Sequence, residues 1–257
     1  MSEILVVDFI LVLMIFLRVF AALSVTPFYS NSAIPALVRI LLSVVIAYII
    51  FMTLDKSAID VQISLGWMFF NGIKEVMAGL LMGYMVNFVF YGVSMAANLI
   101  SFTLGLSMAQ AFNPANETSD DIIGEIYGLI LIFILFIING HHYIIAGLVY
   151  SFKTISIGQF AMTKPVYELI IRYSVSVFII AVKIAAPIIV AMFVIQIAEG
   201  IVARMIPQMQ IFFVMQPLKI GFGFFLIIAV LPITVYVIKY LLKDIEGNLL
   251  NLIKAMS

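Results

Sequence analysis

The chain has 257 residues, 65% hydrophobic and only 10% charged, which leaves too little polar surface for a water-soluble globule and points to a membrane or a large protein partner as the covering. Lys plus Arg number 13 and Asp plus Glu 13, so the formal net charge is zero and no basic field suggests nucleic acid. With no cysteine, disulfides, thiol catalysis and Cys-ligated metal or cluster sites are excluded.

A membrane-crossing helix needs about 20 mostly apolar residues, and polar punctuation marks out six long apolar segments. The chain therefore reads as an all-α, multi-pass integral membrane protein with no second soluble domain. The first segment, 4–25, carries Glu3 and Asp8 in place of a basic leader, holds Arg18 inside it, and shows no small-residue cleavage site before Pro27. It is predicted to be a retained helix and not a signal peptide. After a connection at 26–35 comes the second segment, 36–54, and after 55–64 the third, 65–98. The third and the fourth, 122–150, are each longer than a span requires, which predicts tilt, a break, or a part outside the bilayer. Gly79 and Gly83 in the third segment fit the G-x-x-x-G close-packing motif.

Between the third and fourth segments, residues 101–114 alternate small or hydroxylated residues with bulky apolar ones, include Gly105, and end where Pro114 disfavours helix at Asn113. Non-helical backbone at membrane depth is tolerated only where protein buries it or a watery cavity borders it. Either a mobile loop in a pore or an ordinary extramembrane connection fits this stretch. Thr118 to Asp121 has the spacing of a capping box, with Asp in place of Glu or Gln, so the next helix is expected to start there. Asn139-Gly140-His141 reads as a polar break inside the fourth segment. The fifth and sixth segments, 173–198 and 211–242, follow connections at 151–172 and 199–210 and form a helical hairpin turning near Pro207. Pro187, Pro217 and Pro232 each remove a backbone donor, and kinks are expected near them.

Lys153, Lys164 and Arg172 in one connection and Lys239, Lys243 and Lys254 in the tail oppose an acidic cluster of Glu117, Asp120, Asp121 and Glu125. The positive-inside rule then places both termini inside and the acidic loop outside, with Arg39 and Arg204 pulling weakly the other way. Asp8, Arg18, Lys74, Glu75, Asn87, Lys183, Gln196 and Lys219 fall inside the apolar segments. A charge at the bilayer centre costs about 2.5–3.5 kcal/mol even on the forgiving insertion scales. These groups therefore line an ion or proton path, or they are buried against partner surfaces or lifted above the hydrocarbon; their scatter builds no string of carboxylates.

His141 and His142 are the only histidines. Adjacent helical positions point about 100° apart and no H-E-x-x-H pattern accompanies them, so a polar turn competes with a ligand role. There is no G-x-S-x-G and no Walker loop, and nothing else marks an enzyme or a cofactor site.

Arg204-Met205-Ile206-Pro207-Gln208-Met209-Gln210-Ile211-Phe212-Phe213-Val214, followed by Pro217-Leu218-Lys219-Ile220-Gly221, resembles the signature of the FliR family of type III secretion export-gate subunits. Leu104-Gly105-Leu106-Ser107 leading to Asn113-Pro114, Asn139-Gly140-His141 before Ser151-Phe152, and Arg18 with Pro27, Pro35 and Arg39 extend the match along nearly the whole chain. The resemblance implies a non-enzymatic subunit, without cofactor, of the flagellar export gate in the basal body at the bacterial inner membrane. FliP-like, FliQ-like and FlhB-like subunits would be its partners, with unfolded flagellar proteins as cargo and membrane lipid around it. It further implies a FliP-like half over about 1–150 and a FliQ-like hairpin half over about 151–257. A loop formed by Leu104, Gly105, Leu106, Ser107 and the residues up to Asn113 and Pro114 would plug the closed channel. Phe102, Leu106, Met108 and Phe112 would seal it, and Gly105 and Pro114 would let it move. Where the family commonly has Asp before the proline, this chain has Asn113. Arg18, Arg39, Lys74, Glu75, Lys183, Arg204, Pro207, Gln208, Phe212, Pro217 and Lys219 are the implied subunit-packing positions. Alternatives are the homologous subunit of a virulence injectisome and, from another class, an independent ion or solute carrier, for which no inverted repeat with paired broken helices is evident.

Overall fold

The computed structural model describes residues 2–31, 34–54, 64–106, 121–206 and 211–257, with residues 2–5 and 211–213 described by backbone only. Among the described residues the chain forms helices and no strand: α1 (Ser2–Val25), α2 (Ala36–Thr53), α3 (Leu65–Leu104), α4 (Ile122–Ile137), α5 (Gly140–Thr154), α6 (Lys164–Met205) and α7 (Ile211–Met256). Five of these are long and apolar enough to cross a membrane, and α4 with α5 forms a bent pair that makes a sixth if counted as one span. The chain is thus an all-α, multi-pass membrane protein.

Four helices run past their expected bounds. The third segment continues past residue 98 to Leu104, the connection at 151–172 is helical up to Thr154 and again from Lys164, and the last helix continues past residue 242 to Met256. In each case polar residues end the apolar run without breaking the helix, because backbone hydrogen bonding does not require apolar side chains. Pro165 sits in the first turn of α6, where its missing N–H is no loss. The tail of α7 is amphipathic: Ile245, Leu249, Leu252, Ile253 and Met256 are buried, the i, i+4, i+7 rhythm of one helical stripe. The expected break in the fourth segment is present at Ile138–Asn139, and Asn139 adopts the left-handed conformation with φ 57°, which Asn tolerates better than most residues.

The chain divides into two compact units. The first comprises Met1–Phe88, Asn139–Ser174 and Lys243–Ser257. Its core is built around α1, whose Ile10, Leu11, Met14, Ile15, Val19, Ala22 and Leu23 meet residues of α2, α3, α5 and the end of α7. The small-residue motif has a partner here: a Cβ on Gly79 would lie 2.2 Å from the Arg18 carbonyl oxygen, and one on Gly83 2.6 Å from that of Ala22. Glycines four apart face residues four apart, so the α1 and α3 backbones approach closely. The second unit comprises Val89–Ile138 and Val175–Leu242. The C-terminal part of α3 packs on α6 at Gly92, where a Cβ would meet Ile180 at 2.8 Å.

Candidate functional site

Within the second unit, the C-terminal end of α3 and the start of α4 form the two ends of the segment 107–120, the bulk of the loop singled out by its sequence. The α3 end is capped by its own backbone. Gly105, with φ 78°, donates its N–H to the Phe102 carbonyl and Leu106 donates to the Ser101 carbonyl, both at 3.1 Å. This is the paired pattern of a Schellman motif, and glycine supplies the left-handed residue it needs. Gln216 of α7 donates its Nε2 to the Leu104 carbonyl at 3.1 Å, satisfying another acceptor at the helix end. Leu104 is fully buried and occupies the space a Cβ on Gly223 would take, at 1.9 Å. At the other end Asp121 is the N-cap of α4, its carboxylate accepting from Ile123 N at 3.2 Å, while Thr118 lies outside the described residues. The Ser101 hydroxyl also donates to the Asp121 carboxylate. Side chains thus close the stem of the loop across both ends.

Of the plug residues expected from sequence, Leu104 is helical and packed inside the chain. Phe102 is also helical, 74% exposed, and Gly105 and Leu106 form the capping turn. Ser107, Met108, Phe112, Asn113 and Pro114 lie outside the described residues.

The first unit holds a buried ionic joint. Arg18 of α1 and Glu75 of α3 are both fully buried, and Arg18 donates from Nε to Glu75 Oε2 at 2.6 Å and from Nη2 to Oε1 at 3.1 Å. The guanidinium also reaches the Ser151 and Ile155 carbonyls and lies 4.1 Å from the centre of the Phe152 ring, giving the planar fork the bidentate and stacking partners it favours. Glu75 and Lys74 then hold one residue of the α5–α6 connection, Gly158, through its two flanking peptide groups. Gly158 donates its N–H to Glu75 Oε1 at 2.8 Å, and its carbonyl accepts from Lys74 Nζ at 3.0 Å. Gly158 has φ 80°, and a Cβ there would press on Asn71. Arg18 and Glu75 thus satisfy each other inside the chain. Ser151 entered the sequence reading only through the family motif, and Ile155 and Gly158 not at all, because the three lie 83 to 137 positions from their partners in chain order.

Arg39 donates Nε to the Tyr29 carbonyl at 2.8 Å, and Asn87 reaches the Val25 carbonyl; each satisfies an acceptor near the α1–α2 turn. Lys219 Nζ is 3.7 Å from Glu199 Oε2 and, with Pro217, Ile195, Met215, Leu218 and Phe222, lines an open apolar cavity of about 510 Å³. Lys183 and Arg204 are exposed. Phe212 lies in α7 with its side chain not described, and Pro207 and Gln208 lie outside the described residues. His141 and His142 stand with ring centres 4.2 Å apart, and no cluster of metal-ligating side chains accompanies them among the described residues.

The model for bacterial export proteins, family 1, matches residues 9–245. A flagellar biosynthetic protein FliR of Bacillus subtilis is 32% identical over 232 residues, covering 88% of each chain. The protein of the same description from Escherichia coli is 26% identical over 240 residues, covering 93% of this chain and 91% of its own. That of Caulobacter vibrioides is 30% identical over 213 residues, covering 82% and 84%.

Proposed function

This chain belongs to the family of bacterial export proteins, family 1, and on that premise we propose how it acts: with FliP-like and FliQ-like subunits it builds the channel through which unfolded flagellar proteins leave the cell, and its loop at 104–116 closes that channel at rest. Membership makes it a subunit of the flagellar export apparatus, a multi-pass inner-membrane protein and not an enzyme. The partners, the plug and the division into a FliP-like and a FliQ-like half are the proposal; an FlhB-like subunit at the cytoplasmic mouth completes it.

The observation that carries the plug is the closed stem. A loop that blocks a pore must be held firmly at its base while its tip gives way to cargo. Here the capping turn at Gly105, the Gln216 bond to Leu104 and the Ser101–Asp121 bond hold that base. The exposed apolar faces of the helices, such as Phe178, Val182 and Phe193 on α6, exceed what an isolated soluble chain displays and suit burial against subunits or lipid.

The test is a deletion of residues 107–112, which spares the stem, in the complex co-purified with its FliP-like and FliQ-like partners. The expected result is an assembled complex by size-exclusion chromatography that leaks ions in planar bilayers. Unchanged conductance of an assembled deletion complex refutes the plug. A lone chain that stays monodisperse and carries a solute in liposomes refutes the whole reading.

A further inference from the structure

The exposed side of α7 changes character along its length. Residues 220–238 carry no charge and are bracketed by Lys219 and Lys239, 20 positions apart. At 1.5 Å per helical residue that separation is about 30 Å, the thickness of a bilayer's hydrocarbon core. Leu218, Phe222, Phe225 and Ile233 are 44–64% exposed along this stretch and recur at i, i+4, i+7 and i+15, one face of the helix. On the same face the pattern then switches to Tyr236, 72% exposed, and Tyr240, 61% exposed, with an exposed Lys239 beside them. Tyrosines concentrate where an apolar ring and a polar tip meet the lipid–water boundary, and lysine bears the charge that attracts anionic lipid. Lys243, Asp244 and Glu246, all exposed, come only about a turn further on. At the other bracket Lys219 is already paired with Glu199, so the free cation belongs to one end.

From this order we infer that Tyr236, Lys239 and Tyr240 form a binding site for the headgroup of an anionic phospholipid, with the ammonium on the phosphate and the two phenols at the glycerol level. Charge complementarity selects the occupant, because the site is the first cationic turn after a bilayer's depth of uncharged helix. The inference rests on the chain's membrane location and not on the plug.

The experiment is native mass spectrometry of the full chain, with the subunits that co-purify, delipidated and titrated with phosphatidylglycerol or with phosphatidylcholine of the same acyl chains. Wild type is expected to retain phosphatidylglycerol several-fold over phosphatidylcholine, and Lys239→Gln with Tyr240→Leu to lower that preference to parity. Inorganic phosphate at millimolar concentration should not compete; competition would assign the site to free anions and overturn the lipid reading. Phe225→Leu, on the same face, should leave the preference unchanged. Equal retention of both lipids by wild type, or an unchanged preference in Lys239→Gln with Tyr240→Leu, overturns the proposal. So does a photo-crosslinker at position 236 that captures a protein subunit instead of lipid in native membranes.

Discussion

Removing Glu75 tests the physics of the buried joint. In Glu75→Ala, Arg18 loses both charge-assisted bonds to the carboxylate, and the Gly158 N–H loses its acceptor. What remains for a fully buried guanidinium is the Ser151 and Ile155 carbonyls at 3.3 Å and the Phe152 ring. Leaving one member of a buried pair uncompensated costs about 3–5 kcal/mol. Membrane-embedded polar contacts run toward the weaker end, so about 3 kcal/mol is expected, on the order of a hundredfold in the folded-to-unfolded ratio. The only tryptophan, Trp67, packs against the first unit's core, and its carbonyl accepts from Asn71 at 2.9 Å. Its fluorescence therefore follows unfolding of this unit in detergent titrated with denaturant. Replacing both partners, Arg18→Met with Glu75→Met, removes the charge together with its counter-charge and leaves the Gly158 N–H without its acceptor, so it should cost about 1–2 kcal/mol, less than the single replacement. A double-mutant cycle gives the coupling directly. The reasoning fails if Glu75→Ala loses under about 1 kcal/mol, or if the double replacement is as damaging as the single one.

Gly105→Ala places a Cβ 2.3 Å from the Gln216 amide nitrogen in a left-handed residue; the backbone alone costs about 1–2 kcal/mol. Faster hydrogen exchange at the Leu106 amide would report the loosened cap, and unchanged exchange would refute its role. Gly79→Ala drives a Cβ toward the Arg18 carbonyl, a backbone atom with no rotamer to yield. A loss of about 2 kcal/mol or more is expected, read from the same Trp67 titration, whereas Gly128→Ala meets nothing within 4 Å and should be neutral or stabilising by up to about 1 kcal/mol. Lys74→Met removes one bond to the Gly158 carbonyl while leaving Glu75 in place, so it should cost about 1 kcal/mol, well under Glu75→Ala in parallel melts.

The class of the protein and most of its segmentation are legible in the sequence, because apolar runs, the Asn139 break and the Gly79–Gly83 spacing are local properties read within one or two helical turns. Helix ends were less legible. The sequence reading ended α3 at residue 98 and α7 at residue 242 where polarity rose, but the capping turn at Gly105 and the buried stripe from Ile245 to Met256 carry the helices further. Composition also flagged Arg18, Lys74 and Glu75 as misplaced charges without saying what they meet. Their partners are one another and the backbone of a single residue, Gly158, more than 50 positions away. A charge pattern shows that a buried group requires a counterpart, whereas only the folded packing of α1, α3 and the α5–α6 connection selects which one comes within hydrogen-bonding distance.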